Sequence, residues 1–239
     1  MTEITLSSEI TVKLIRHSSG DDTVIQAAQV SSKGENNPST VPYRFIKSLM
    51  AGKHGSPFEH NSMTFFVESP LFTGREWLRH RISSFNEQSG RYSDYIPKFY
   101  VPDETRKAFN VGTKMKPNFV GYEDVVDPTL SMSYAELHER VRNVSQTAWD
   151  AYQGMLDGGI ANEVARIVLP VNTYSQMYWT VNARSLMNFL SLRVESDDSL
   201  VRSYPQKEIQ MGAEQVEAIF AELMPLTHQA FVENGRVAP

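Results

Sequence analysis

Arg79-His80-Arg81-Ile82-Ser83-Ser84-Phe85-Asn86-Glu87-Gln88-Ser89-Gly90-Arg91-Tyr92 gathers three guanidiniums, an imidazole, a carboxylate and several short hydrogen-bonding side chains into little more than a dozen positions. Such a stretch is an anion-binding segment with a steering carboxylate, Glu87. Arginine's planar fork meets phosphate oxygens two at a time, and Ser89 followed by Gly90 lets the backbone approach closely enough to add N–H donors. The expected ligands are phosphorylated. Ser89 has no neighbouring group that explains how it would lose a proton, so a phosphate ligand is preferred to a nucleophile. A serine-capped glycine turn is the plain alternative.

Working outward, Ser69-Pro70 reads as the start of a helix running towards Arg81, with Leu71, Gly74, Trp77 and Leu78 as its apolar side. Arg75 and Arg79 would then stand at i and i+4. That like-charge pair costs an isolated helix about 0.2–0.5 kcal/mol unless an anion or a carboxylate lies between them. Met63–Glu68 alternates as a strand, and Ser56-Pro57-Phe58-Glu59 has the form of a capping box with proline at the first helical position. Further upstream, Ile10–Ile15 predicts an opening strand, ended by the turn cluster Ser18–Asp22. Thr23–Val30 predicts a short helix and Tyr43–Met50 another, closed by Gly52 and Gly55.

Downstream, residues 93–133 carry Pro97, Pro102, Pro117 and Pro128 and few clean periods, which predicts a long excursion with one or two short helices. Leu137, Val141, Val144, Ala148, Tyr152 and Met155 mark an amphipathic helix over Tyr134–Leu156, stopped by Gly158-Gly159. Asn162 begins a short helix that Pro170 closes. Asn182 can cap a helix carrying Arg184, Asn188 and Leu192 down one side, with Arg193 about three turns from the cap. A final helix is expected from about Gln206 to Asn234.

With 239 residues and 41% hydrophobic content, the chain can bury one sizeable core, and a single domain over residues 1–239 is expected. The net charge of −5 argues against a nucleic-acid binder, so the arginine cluster is local and its targets are small anions. There is no cysteine, which excludes disulfides, thiolate metal sites and a thiol nucleophile. No signal-like start and no membrane-length apolar run is present, so a soluble cytoplasmic protein without membrane contacts is expected.

Arg79-His80-Arg81, seven residues and then Ser89, with Arg91-Tyr92 behind it, resembles the signature of the flavin-dependent thymidylate synthases. Further matches are Ser56-Pro57-Phe58-Glu59-His60, the run Asn162 to Pro170 and the run Trp179 to Leu190. The first thirty residues, roughly 98–133 and the tail resemble the family weakly. The resemblance implies a mixed α/β single-domain fold, with a central mixed or antiparallel sheet, packed helices and a homotetramer whose subunits share active sites. It implies FAD as cofactor, NADPH and 5,10-methylenetetrahydrofolate as co-substrates, and conversion of dUMP to dTMP. The other route to thymidylate uses a cysteine thiolate, which this chain lacks.

The same resemblance distributes roles. Arg79, His80 and Arg81 would hold flavin phosphates and fix the dinucleotide, assisted by Glu87, Asn182, Arg184 and Asn188, and more weakly by Ser31, His54 and Ser56. Gln88, Ser89, Gly90, Arg91 and Arg166 would bind dUMP, with Arg79, Glu87 and Glu76 also counted as nucleotide contacts. Arg193 would sit at the pyrimidine, where a cation favours loss of the N3 proton. Plain alternatives stand beside these roles. Arg193 could be an ordinary helix-terminal cation, Arg166 could snorkel out of its apolar surroundings, and the amides could be solvated. His54, Glu59, His60 and His80 lack a metal-ligand spacing, so no metal is expected.

Two departures from the family pattern qualify the transfer. Glu76 stands where glutamine is frequent, and i,i+4 pairing with His80 competes with a nucleotide contact. A histidine that commonly follows the activating arginine is missing, and Val194–Pro205 is longer than usual. The competing readings are a non-catalytic flavin- and deoxyuridylate-binding relative, and an RNA-binding module.

Overall fold

The computed structural model describes residues 2–33 and 42–239. In chain order these form β1 (Thr5–Ser7), β2 (Thr11–His17), α1 (Asp21–Lys33), α2 (Pro42–Ala51), β3 (Met63–Pro70), α3 (Leu71–Trp77) and β4 (Ser84–Glu87). There follow β5 (Lys98–Tyr100), β6 (Phe109–Asn110), β7 (Phe119–Val120), α4 (Tyr134–Asp157) and α5 (Asn162–Ala165). The chain closes with β8 (Tyr174–Val181), α6 (Ala183–Arg193), α7 (Lys207–Leu223) and α8 (Pro225–Glu233). This is a mixed α/β fold with antiparallel pairing in its main sheet. Contacts divide it into two compact units, one of residues 1–9, 70–72 and 88–175, the other of residues 10–69, 73–87 and 176–239.

The second unit holds a sheet in the order β2-β3-β8-β4, with β2·β3 and β4·β8 antiparallel. Met63, Phe65 and Val67 of β3 are fully buried, as is Trp179 of β8. The alternation of β8 sends Met177, Trp179 and Val181 into the core and leaves Tyr178 half exposed. Trp77, Phe189, Leu186 and Leu190 complete that core with Ile209, Val216, Phe220 and Phe231. The expected single C-terminal helix is instead two. Pro225 has no N–H to continue α7, and it opens α8 at the first helical position. Asp21 caps that new end, accepting from Leu226 N at 2.9 Å and Thr227 N at 2.8 Å. Asp21 therefore belongs to α1 and its packing, not to a free turn.

Helix α3 stops at Trp77, well short of Arg81. Trp77 is fully buried against Phe189, and the chain must reverse at once to lay β4 beside β8. The backbone turns through Arg79 N to Glu76 O and His80 N to Trp77 O. Arg79 is thus outside the helix and the like-charge argument with Arg75 falls. Ser69-Pro70 likewise ends β3 rather than capping a helix.

The first unit has its own small core of Ile4, Phe99, Trp149, Tyr152 and Ala165. β1 and β5 pair in parallel, and β6 and β7 form a short antiparallel pair. No helix forms between residues 93 and 133, contrary to expectation; the segment lacks the apolar period that would give a helix a face to bury. Helix α4 matches its expected span and is opened by a capping box, Ser133 with Glu136. Its buried positions are Ser145, Trp149 and Tyr152, whereas Val144 is exposed, so the apolar stripe read from sequence is rotated from the true one. No helix among the described residues is long and apolar enough to cross a membrane.

Candidate active site

The site in the second unit is built where α6 passes the turn after α3. Asn182 caps α6 as expected, its Oδ1 accepting from Ser185 N at 2.9 Å, while Asn61 Oδ1 takes Ala183 N at 2.8 Å. The core face of α6 is Ala183, Leu186, Met187, Phe189 and Leu190, which turns Ser185 and Asn188 outward. Phe189 stacks on Trp77 at 4.6 Å and takes the edge of the His80 ring at 4.8 Å. That aromatic contact sets the position of His80.

At the last residue of α6, Arg193 Nη1 donates to Glu76 Oε2 at 2.7 Å and Arg193 Nε donates to His80 Nε2 at 3.1 Å. Glu76 thus pairs with Arg193, not with His80, the i,i+4 pairing that stood open beside a nucleotide contact. Burial, then the Arg193 charge, pulls the His80 pKa down to about 4, so the ring is neutral and carries its proton on Nδ1. Of the Arg79-His80-Arg81 triplet, only the two arginines are cations at neutral pH. Burial pushes the Glu76 carboxyl up, Arg193 opposes that, and Glu208 adds to it.

Arg79, His80, Arg81 and Asn188 line one pocket of about 240 Å³ together with Ile82, Ser83, Val181 and Ser185. Ser83 and Ser185 were not singled out from sequence; Ser185 sits between Arg184 and Asn188 in the α6 run, which was the available signal. Arg184 does not line the pocket. Its Nη1 pairs with Glu59 at 2.6 Å and its Nε donates to Pro239 O at 2.8 Å. A Cβ on Gly55 would lie 2.5 Å from that guanidinium, so the glycine makes room for it. The Ser56–Glu59 capping box does not form; the segment is a single 3-10 turn without a side-chain cap, and Glu59 serves Arg184. His54 and Ser56 are exposed, and Ser31 is exposed on α1 with its hydroxyl bonded to Ala28 O. Glu87 ends β4, exposed, in register with Met177.

In the first unit, Ser89, Gly90 and Arg91 form a tight turn, with Ser89 O accepting from Tyr92 N and Ser93 N at 3.1 Å. A Cβ on Gly90 would stand 2.4 Å from the Tyr95 ring, so no other residue fits without a shift. Gln88 Nε2 donates to Asp94 O at 3.2 Å. Arg91 Nε pairs with Glu163 at 2.8 Å, both side chains about half exposed. Arg166 opens a 3-10 turn, Arg166–Val168, and is partly exposed. Among the described residues no cluster of three or more histidines or carboxylates could hold a metal ion.

Within this mixed α/β fold, two guanidiniums, an amide and two serine hydroxyls share one pocket whose donors match an anionic ligand. The profile of the family described as thymidylate synthase complementing protein matches residues 13–226. Flavin-dependent thymidylate synthases of Tropheryma whipplei and Streptomyces avermitilis are 47% and 49% identical to the chain, covering 97% of it and 96% and 94% of themselves. The chain belongs to the flavin-dependent thymidylate synthase family. A crystal structure of the UMP/dUMP methylase PolB from Streptomyces cacaoi, bound with 5-Br UMP, superposes with a TM-score of 0.89 at 45% identity over 99% of both chains.

Proposed function

We propose that this chain makes dTMP from dUMP, with 5,10-methylenetetrahydrofolate as one-carbon donor, FAD as hydride carrier and NADPH as reductant. Substrates and products balance as dUMP, methylenetetrahydrofolate, NADPH and a proton against dTMP, tetrahydrofolate and NADP⁺. The observation that carries the reading is a pocket walled by Arg79, Arg81 and Asn188, in a family member that has no cysteine to attack the pyrimidine.

The pocket residues fit a flavin dinucleotide. Arg79 and Arg81 would take phosphate oxygens, Ser83, Ser185 and Asn188 would exchange hydrogen bonds with polar edges, and Ile82 and Val181 would pack on apolar surface. FAD held there would supply the redox chemistry between NADPH and the pyrimidine. The protein's work is to bind, orient and stabilise charge. Arg193 would face the pyrimidine and favour its N3 anion. Ser89, Gly90, Arg91, Gln88 and Arg166 would hold the dUMP phosphate, and Glu87 would contact nucleotide and flavin. Asn182, Arg184, His54, Ser56 and Ser31 are assigned to the flavin by family resemblance.

The pocket's volume of about 240 Å³ is below the ~300–1,000 Å³ of a typical small-molecule site. Residues of other subunits supply the remainder in this reading, so the working form is a homotetramer with shared sites, each chain one domain, in the cytoplasm. An anaerobic assay with dUMP, methylenetetrahydrofolate, FAD and NADPH is expected to yield dTMP; no dTMP overturns the reading. UMP run in parallel asks whether the ribonucleotide is also taken, as the Streptomyces cacaoi methylase is described. Full activity from a monomer on a calibrated sizing column would refute the shared site.

A further inference from the structure

Glu76 enters no step of the proposed reaction, yet it is the closest anion to the residue assigned to the pyrimidine. Its Oε2 accepts from Arg193 Nη1 at 2.7 Å, and its backbone carbonyl lies 3.5 Å from Nη2. Nε of the same guanidinium is taken by neutral His80 at 3.1 Å. The side chains of Arg193 and Glu76 are 19% and 24% exposed, so both sit largely out of bulk water. Together these contacts take one N–H on each of Nε, Nη1 and Nη2, and leave one on each of Nη1 and Nη2 for a ligand.

We propose that Glu76 is a positioning residue for the reaction: it fixes the plane of the Arg193 guanidinium and, as a carboxylate, offsets part of the charge that Arg193 presents to the pyrimidine. The inference rests on the proposed function, and it gives Glu76 a role through Arg193 in place of a direct nucleotide contact. The charged and titratable groups facing Glu76 are Arg193 from α6, Glu208 from α7, and His80 from the turn after α3. Glu208 is itself buried, at 3% exposure. Arg193 is therefore the only cation among them, and Glu208 acts against it by raising the Glu76 pKa. A glutamine in place of Glu76 would keep the acceptor and release the whole positive charge towards the ligand.

The test uses the full-length, flavin-loaded protein and compares wild type with Glu76→Gln, Glu76→Asp and Glu76→Ala. Two readouts are followed: kcat/KM against pH, and the N3 ionisation of bound dUMP by ultraviolet difference spectra. Glu76→Gln is expected to move the N3 titration, and the rising limb of the rate profile, down by about one pH unit, the effect of a nearby charge. Glu76→Asp keeps the charge but retracts it, so the titration stays near wild type while kcat falls. Glu76→Ala loses both contributions, with the titration lowered and kcat reduced about 10- to 100-fold. An unmoved titration in Glu76→Gln, with wild type active, overturns this inference and spares the proposed function. A wild type that neither binds dUMP nor turns it over overturns both.

Discussion

Arg193 and Arg236 of one compact unit and Arg91 of the other are held in opposite ways. Around α6, Arg193 is mostly buried and shares its donors between Glu76 and His80, while near the C-terminus Arg236 is almost fully buried and makes a fork-to-fork pair with Glu217 at 2.7 Å. In the other unit, Arg91 and Glu163 meet at 2.8 Å with both side chains about half exposed. A pair sealed from water is costly to form and very costly to break on one side, whereas an exposed pair is worth about 0–1 kcal/mol. The difference teaches that the first arrangement fixes geometry before any ligand arrives, and the second can be traded for a phosphate at little cost.

The sharpest attempt to break this contrast is Arg193→Ala, expected to keep bound flavin and lose about 100- to 1,000-fold in turnover. Arg81→Ala should do the reverse, losing flavin first, as read from the flavin absorbance after desalting. An exchange of the two outcomes would show that their roles have been swapped.

The next effect is on stability. Arg236→Ala strands Glu217 with His228 alone and should cost about 3 kcal/mol in urea unfolding. Burial works against ionisation of Glu217, but hydrogen bonds from His228 and Arg236 outweigh it and hold the carboxyl at about 2. Because the folded value lies below the unfolded one of about 4.3, the contribution is complete above that pH and is lost as pH falls towards about 2. Arg236→Ala should flatten that acid limb. A variant as acid-sensitive as wild type would show that the cluster is not its source.

His80 gives a second window with a different readout. The ring is held neutral with a pKa of about 4, against an ordinary value of about 6.5. The unfolded chain thus binds a proton that the folded chain refuses, and stability declines as pH falls from about 6.5 to about 4. Smallest of all is Glu163→Ala. It removes only an exposed partner, so unfolding should change by less than about 1 kcal/mol, while freed Arg91 should bind dUMP as well as before or better. A loss of affinity on titration calorimetry would mean that Glu163 positions Arg91, and the contrast between the regions would fail.

Much of the fold was legible where period and punctuation agree. The span of α4, the Asn182 cap of α6 and the β3 strand all lie where spacing put them. The errors share one cause: local signals were over-ridden by packing. Ser56 and Glu59 have the spacing of a capping box, yet the Arg184 guanidinium claims Glu59 from a distant element. Arg75 and Arg79 have helical spacing, yet burial of Trp77 forces the chain to turn between them. Val144 fits the stripe of α4, but Trp149 is the larger surface to hide and it sets the rotation. Strand β8 was not foreseen, although Met177, Trp179 and Val181 alternate there, because the signal lies hard against the helical run that begins at Asn182.

Order along the chain was enough to single out candidates for phosphate binding, because guanidinium, hydroxyl and glycine crowd into one short stretch, and to exclude a thiolate, because there is no cysteine. It was also enough to reveal the family. Tertiary structure alone decided the protonation of His80, the partner of Arg193 and the availability of Arg91. Those depend on solvent exclusion and on distances between elements far apart in sequence, and both come into being only when the core closes.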